Sequence, residues 1–130
     1  MSIRDHIHAI LNELGENAGR EGLVATPDRV EKSLRFLTSG YAQDPKKVLN
    51  NALFSEKYNE MVLVKDIDIF SLCEHHMLPF FGKAHVAYVP GGRLHGFGRI
   101  ARLVDAIGHR LTYQEWMTRD IAEALVRHGP

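Results

Sequence analysis

The stretch "MVLVKDIDIFSLCEHHMLPFFGKAHVAYVP", residues 61–90, decides the fold. Its first part is rich in β-branched residues and alternates polar with apolar positions over residues 66–69, which predicts a strand. A second strand is predicted for "FGKAHVAYVP", residues 81–90, and the segment from Cys73 to Pro79 joins the two. Two strands alone make a marginal sheet. We therefore expect either that strands of another subunit pair with them or that a segment completing the sheet is absent.

Helical patterns precede this pair of strands. Ser2 and Asp5 have the spacing of a capping box, which predicts a first helix that ends at Gly15. Thr26 is the predicted N-cap of a second helix, which we expect to end at Gly40. The stretch "DPKKVLNNALF" has a similar Asp-Pro opening and indicates a third, short helix.

Two further helical patterns follow the strands. Their apolar residues recur at helical spacing: Ile100, Leu103, Val104, Ile107 and Leu111 in one, and Met117, Ile121, Ala124 and Leu125 in the other. The whole pattern predicts an α+β fold, with an N-terminal helical region at residues 1–57 and a strand-and-helix region at residues 58–130.

Composition and charge exclude several classes of protein. The 130 residues include 16 Lys and Arg against 16 Asp and Glu, so the balance predicts no nucleic-acid-binding patch. A single cysteine forms no internal disulfide, which favours a reducing, cytoplasmic compartment. Charges interrupt the N-terminal apolar positions, and no apolar run is long enough to span a bilayer. We expect neither a signal peptide nor a membrane partner.

The motif Cys73-x-x-His76 has the spacing of half a zinc site. A thiolate and an imidazole suit Zn²⁺ better than Mg²⁺ or Ca²⁺. Two ligands do not complete a site. His85 on the next strand is a candidate third ligand on proximity and is equally a candidate for a half-buried strand residue. The alternative is a buried structural thiol beside a pair of exposed histidines.

His75 lies between the candidate ligand His76 and the thiol. Because its neighbour is assigned to the metal, His75 is free to act as a general acid or base. With an activated water on an open metal position, this would be a hydrolytic arrangement. The alternative is a histidine that hydrogen-bonds a backbone carbonyl.

Two polar pairs mark the starts of the last two helices. Gly96 and Gly98 precede the first of these, and Arg99 and Arg102 fall in or near its first turn. Glycine-flanked helix starts bind anions, so the arginines are either a phosphate clamp or a solvated basic face. Gln114 and Glu115 open the last helix, where a glutamate ordinarily compensates the helix dipole. Trp116 is expected in the core.

The chain resembles the GTP cyclohydrolase I family. The resemblance extends from "ELGENAGREGLVATPDRVEKSL" and "LTSGYAQDP" through "CEHHMLPFFGKAHVAY" to "IARLVDAIGHRL" and "QE", and the stretch around "CEHH" is the most specific. It implies a T-fold, in which an antiparallel sheet carries two helices on one face and follows an N-terminal helical region. It also implies a homo-oligomer, in which subunits join through their sheets into pentamers and two pentamers stack into a decamer.

The resemblance also implies an activity and assigns residues to it. The family converts GTP to 7,8-dihydroneopterin triphosphate and formate, at the entry to folate and pterin synthesis. Cys73 and His76 would be zinc ligands, and His75 would be the acid/base at the five-membered ring of the purine, where activated water attacks C8. Glu115, with Gln114 beside it, would anchor the guanine edge. Arg99 and Arg102 would hold the triphosphate.

The chain departs from the family pattern at several positions. Gly98-Arg99 stands where the family has Ser-Lys, Trp116 stands where it has Arg, and His95 is unusual for its place. The family also continues beyond the position of residue 130 with two strands that carry a further histidine, a third zinc ligand (a cysteine) and another arginine.

Three hypotheses follow from this comparison. The chain is an active GTP cyclohydrolase I in which water or another histidine replaces the missing ligand. Otherwise it is an inactive or truncated homologue that binds nucleotide or assembles with a full-length relative. The third possibility is a small structural-zinc domain without turnover.

Overall fold

A computed structural model describes residues 1–50, 53–55 and 58–128. It confirms an α+β protein, and the chain forms two compact units, Met1–Phe36 and Leu37–Pro130. The expected domains, residues 1–57 and 58–130, remain a prediction. Within the described residues, no helix has both the length and the apolarity needed to cross a membrane.

The first unit contains helix α1 (Ile3–Glu13) and most of helix α2 (Thr26–Leu37). The capping box is confirmed, since the Ser2 hydroxyl accepts from the Asp5 amide at 3.3 Å and the Asp5 carboxylate accepts from the Ser2 amide at 3.1 Å. The predicted N-cap role of Thr26 is wrong. Its hydroxyl instead donates to the carbonyl of Gly22 at 3.4 Å, because a turn already leads into the helix.

The described part of the second unit holds the sheets, three α-helices and a 3₁₀-helix. Its elements are a 3₁₀-helix (Ser39–Ala42), α3 (Pro45–Asn50), β1 (Leu53–Ser55), β2 (Val62–Cys73), β3 (Pro79–Tyr88), β4 (Arg93–His95), α4 (Phe97–Gly108), β5 (Leu111–Thr112) and α5 (Gln114–His128). The 3₁₀-helix follows α2 directly, so α2 ends before Gly40 and not at it.

The two predicted strands form an antiparallel hairpin, β2 with β3, and this part of the prediction is confirmed. The expected antiparallel sheet is wrong in one respect. Strand β5 pairs with the end of β2 in parallel, so the described three-stranded sheet, in the order β3-β2-β5, is mixed. A second, two-stranded sheet joins β1 and β4 in antiparallel fashion. The arrangement is consistent with the T-fold.

A bulge interrupts the alternation of β2. The register shifts between Val64 and Ile67, and Asp66 adopts a φ of 58°, in the left-handed region. The amide of Asp66 leaves the ladder and donates to Nδ1 of His85 at 3.0 Å. The imidazole of His85 therefore accepts a hydrogen bond from the bulge.

The core of the second unit lies between the hairpin and helices α3, α4 and α5. Its fully or nearly buried members are Leu49, Ile69, Val86, Ile100, Leu103, Val104, Ile107, Met117, Ile121 and Ala124. The apolar faces predicted for α4 and α5 are confirmed, apart from Leu111, which belongs to β5 and is 36% exposed. Trp116 is 48% exposed, so its predicted place in the core is wrong.

Candidate catalytic site

The turn from Cys73 to Leu78 presents the thiol and both imidazoles. The Cys73 amide donates to the carbonyl of Leu78 at 2.9 Å, and the Met77 amide donates to the carbonyl of Cys73 at 2.7 Å. Met77 has a φ of 59°, a left-handed conformation that allows this tight closure. His75 and His76 therefore project from a closed turn into solvent.

A second set of backbone contacts ties this turn to the start of α5. Cys73 pairs with Thr112 of β5, and the Glu74 amide donates to the carbonyl of Thr112 at 3.0 Å. Helix α5 begins two residues after Thr112. The short parallel strand therefore fixes where the first residues of α5 stand beside the turn.

The thiol of Cys73 lies beside the ring of His75. Its Sγ is 3.7 Å from Nδ1 of His75, a distance suited to a weak hydrogen bond that involves sulfur. Cys73 is half-buried at the end of β2, whereas His75 is exposed. The predicted acid/base and the predicted ligand are therefore in contact.

His76 is oriented by the backbone of the turn. Its Nδ1 accepts from the amide of Leu78 at 3.2 Å, so in a neutral ring Nε2 carries the hydrogen. Metal-bound histidines usually donate from the nitrogen that does not bind the metal. If His76 bound a metal, its ring would have to give up this hydrogen bond and donate from the nitrogen that does not bind the metal.

The donors in this turn fit zinc in type but not in number. A thiol and imidazoles are ligands that zinc prefers. Among the described residues, however, no group of three His, Cys, Asp or Glu side chains could hold a metal ion. His85, the candidate third ligand, is wrong because it lies six positions along β3 from Pro79 at the turn, about 20 Å along an extended strand.

A row of rings backs the exposed His75. The ring of His75 stacks on Tyr113 with centroids 5.4 Å apart and planes 26° from parallel. Tyr113 in turn meets Trp116 at 5.7 Å, and the guanidinium of Arg119 lies 4.4 Å from the centroid of Trp116. Sequence reasoning missed Tyr113 and Arg119. The spacing of three residues from Tyr113 to Trp116 to Arg119 was the available signal.

Gln114 and Glu115 are the first two residues of α5, and both are exposed. Desolvation raises the pKa of Tyr113, and the carboxylates of Glu74 and Glu115 raise it further, while Arg119 opposes them. Glu74 belongs to the Cys73 turn and Glu115 to the first turn of α5, and the ring contact of His75 with Tyr113 joins these two segments. The start of α5 is thus brought to the Cys73 turn, as a shared site requires.

Arg99 and Arg102 lie in the first half of α4. Gly96 is the N-cap, so Gly98 belongs to the helix and does not precede it as predicted. At the other end of α4, Gly108 approaches the carbonyl of Phe70, near the end of β2. Arg99 precedes Gly108 by nine residues, about 14 Å along the helix, and Arg102 precedes it by six, about 9 Å. Both arginines thus lie in the first half of α4, and the phosphate clamp stays a prediction.

Comparison with known proteins gives a consistent answer. The family model described as GTP cyclohydrolase I matches residues 3–129. The protein named GTP cyclohydrolase 1 of Chlorobaculum tepidum is 56% identical over 124 residues, which are 95% of this chain and 55% of that protein. The protein of the same name from Bacteroides thetaiotaomicron is 57% identical over 123 residues, 95% of this chain and 63% of that protein. GTP cyclohydrolase 1 2 of Pseudomonas aeruginosa is 54% identical over 125 residues, 96% of this chain and 69% of that protein. The chain thus spans between about half and two thirds of the length of these relatives.

Proposed function

The chain belongs to the GTP cyclohydrolase I family, and on that basis we propose that it contributes the catalytic turn of a zinc-dependent hydrolase. The proposed reaction converts GTP to 7,8-dihydroneopterin triphosphate and formate, as the first step of folate and pterin synthesis. The observation that carries the proposal is the closed turn that holds Cys73, His75 and His76 beside the start of α5. Such a turn combines metal-type donors with an acid/base, which hydrolysis of a ring C–N bond needs.

Cys73 and His76 are the residues that would hold the zinc ion, with a further ligand that the described residues do not supply. A zinc ion there would act as a Lewis acid that activates water. The thiol must be deprotonated to bind it, so zinc binding would also break the contact of Cys73 with Nδ1 of His75 or reverse its polarity. His75 would then be free to exchange protons with the nitrogen atoms of the purine.

His75 is the proposed acid/base for opening the five-membered ring. Its ring is exposed at the tip of the turn, and Tyr113 covers one face, so a substrate can approach the ring edge. General acid/base catalysis needs a donor within hydrogen-bond reach of the reacting atom. Glu115 and Gln114, on the adjacent start of α5, are the proposed contacts to the guanine edge.

The proposed triphosphate ligands are Arg99 and Arg102. Because Arg99 lies about 14 Å and Arg102 about 9 Å along α4 from Gly108, the end of the helix that approaches Phe70 of β2, a symmetric homo-oligomer offers a way to bring the arginines and the turn together. The arginine end of one subunit would then approach the turn of a neighbour. The proposed assembly is a decamer of two stacked pentamers that join through their sheets. The cytoplasm is the proposed location, since one unpaired cysteine suits a reducing compartment.

A second candidate function is nucleotide binding or assembly without turnover. The observation that favours it is the missing third ligand among the described residues. Zinc held too loosely, or in an incomplete coordination shell, would leave GTP bound but intact. This candidate predicts nucleotide binding without release of formate.

Incubation of the purified chain with zinc and GTP tests the proposal. Formate and the absorbance of the pterin product would be measured after chromatography. We expect product from the unchanged chain, loss of zinc and product in Cys73→Ala, and retained zinc without product in His75→Gln. His8→Gln, at an exposed histidine of α1, is the matched control and should behave as the unchanged chain.

Three outcomes would contradict turnover by this chain. A folded, zinc-loaded chain that binds GTP without forming product supports the second candidate. Tight zinc that nucleotide does not perturb supports a structural-zinc domain. Product that persists in Cys73→Ala removes that thiol from the mechanism.

A further inference from the structure

We propose that Tyr113 is a positioning residue for His75, and that its ring fixes the plane in which the imidazole presents its nitrogen atoms. The inference rests on the proposed function, in which His75 is the acid/base. It adds a residue that acts through His75 and not on the substrate. Nothing in the spacing of the "CEHH" motif indicates such a partner, because Tyr113 is 38 residues further along the chain.

The contact between the two rings is a parallel stack. Their centroids are 5.4 Å apart and the planes differ by 26°, which is within the range of offset stacking. The described part of the chain offers His75 one further polar contact, the Sγ of Cys73 at 3.7 Å. A weak thiol contact at one atom leaves the ring free to turn about it. The stack removes that freedom because it fixes the ring plane.

Backbone hydrogen bonds hold Tyr113 and the residue before it. Tyr113 directly follows β5. In that strand Thr112 pairs with Cys73, and the carbonyl of Thr112 accepts from the Glu74 amide at 3.0 Å. The carbonyl of Tyr113 accepts from the Met117 amide at 2.9 Å, which begins the hydrogen bonding of α5. The turn and its aromatic support are therefore joined through the same short strand.

Two side chains of α5 support the far side of the phenol. Trp116 meets Tyr113 at 5.7 Å with planes at 47°, and Arg119 lies over Trp116 at 4.4 Å. Tyr113 directly precedes α5, and Trp116 and Arg119 follow it at intervals of three residues, so the three fall on one side of the helix. Desolvation and the nearby Glu74 and Glu115 raise the pKa of Tyr113, so the phenol remains neutral. The support is thus an uncharged ring whose contact does not depend on ionisation.

This arrangement predicts a specific kinetic signature. An imidazole that rotates out of plane lowers the fraction of complexes ready for proton transfer, so kcat should fall while KM and zinc content stay unchanged. The ring stack should correspond to roughly a 3- to 10-fold effect on kcat. Because the ring and not the hydroxyl makes the contact, Tyr113→Phe should retain the activity that Tyr113→Leu loses.

The test combines kinetics with NMR of the histidine rings. His75 ring signals, assigned by their disappearance in His75→Gln, should carry an upfield ring-current shift in the unchanged chain and in Tyr113→Phe. The shift should be absent in Tyr113→Leu. Tyr58→Leu, at an exposed tyrosine of the same unit (41% exposed), is the matched control and should change neither shift nor kcat.

The NMR readout does not need turnover, so it separates this inference from the proposed function. If the unchanged chain makes no product, the proposed function fails, and the ring-current shift still decides whether Tyr113 orients His75. Unchanged His75 signals in Tyr113→Leu would overturn the inference. So would a Tyr113→Phe variant as impaired as Tyr113→Leu, or a lost shift with unchanged kcat in an active chain.

Discussion

At the scale of single residues, His95 is the polar group whose burial stands out. It is 3% exposed, and among the described residues neither ring nitrogen has a hydrogen-bond partner. Its amide donates to the hydroxyl of Tyr88 at 3.0 Å, and the two rings meet edge to face at 5.7 Å. A buried polar group without partners costs free energy of folding. Burial also lowers the pKa of His95, because the charged ring loses its hydration.

Replacement of His95 by leucine should therefore stabilise the protein. Leucine is similar in volume and has no polar atoms, so the free energy of unfolding should rise by about 1–3 kcal/mol. Denaturant unfolding at pH 7.5 measures this difference. His8→Leu is the control, because His8 is exposed on α1, and it should leave the stability nearly unchanged. A His95→Leu variant that is less stable than the unchanged chain would show that the imidazole makes a favourable contact.

The same residue predicts a pH dependence. A lowered pKa in the folded state means that the unfolded chain takes up the proton first as the pH falls. The free energy of unfolding of the unchanged chain is therefore highest, as far as His95 is concerned, above the ordinary pKa of 6.5, and it decreases as the pH falls below that value. The advantage of His95→Leu over the unchanged chain should grow from pH 7.5 to pH 5. If the free energies of unfolding of His95→Leu and of the unchanged chain changed with pH in the same way, the assigned burial of His95 would be contradicted.

Residue types and short spacings predict part of the site. The Cys73-x-x-His76 spacing led to the turn that holds both side chains, and the structure adds His75 in contact with the thiol. Tyr113 could not be predicted in the same way. Its contact with His75 depends on the parallel pairing of β5 with β2, a relation between distant segments that no local pattern encodes. His85 failed as a ligand because a strand bulge, which is also non-local, engages its ring.

At the scale of elements, a clasp joins the 3₁₀-helix to the end of α4. The Gly40 amide donates to the carbonyl of His109 at 2.9 Å. The guanidinium of Arg110 donates to the carbonyls of Gly40 at 3.0 Å and Gln43 at 3.3 Å. The hydroxyl of Tyr41 accepts from the amide of Leu111 at 3.0 Å. These bonds hold the segment that leads into β5, and hence the start of α5 at the candidate site.

Gly40→Ala should break this clasp. A Cβ at position 40 would lie 1.8 Å from the carbonyl oxygen of Ala106 and 2.7 Å from that of His109, and both atoms belong to backbone. The backbone must shift to admit it, so we expect a loss of about 3 kcal/mol or more in the free energy of unfolding. Thermal and denaturant unfolding measure the loss.

Gly98→Ala is the matched control for that variant. Its Cβ would meet nothing within 4 Å, and Gly98 lies inside α4. Alanine there should raise the free energy of unfolding by about 0.4–1 kcal/mol, because the unfolded chain loses conformational freedom. Equal stability of the two alanine variants would show that the close approach at Gly40 does not constrain the fold.

Element length decides what sequence patterns predict. Strands β2 and β3, with 12 and 10 residues, and helices α4 and α5, with 12 and 15, are long enough to show a period. Strands β1, β4 and β5 have three, three and two residues, too few to show one. Their existence depends on the partner strand. The mixed sheet was therefore beyond sequence reasoning, although the α+β class was not.

At the scale of the whole molecule, the open face of the hairpin is the feature that bears on assembly. Phe81 pairs with Phe70 across the strands, and they are 83% and 54% exposed. Leu63, beyond the bulge on the same face, is 48% exposed. Lys83 and Asp68 form a salt bridge between them. Large apolar side chains exposed on an open sheet face favour contact with another protein surface.

Phe81→Glu tests whether this face joins subunits of the proposed oligomer. A carboxylate in the middle of an apolar contact would have to be desolvated, which disfavours association. Light scattering coupled to size exclusion should show the unchanged chain at a multiple of its 14.7 kDa mass and Phe81→Glu at a smaller multiple. Val126→Glu is the matched control, because Val126 is also 83% exposed but lies on α5. It should keep the mass of the unchanged chain.

An unchanged chain that elutes as a monomer would contradict the assembly itself, and equal losses in both variants would contradict the assignment of the interface to the sheet. If the proposed assembly supplies the Arg99 end of α4 and the Cys73 turn to one site from neighbouring subunits, its loss should also abolish turnover.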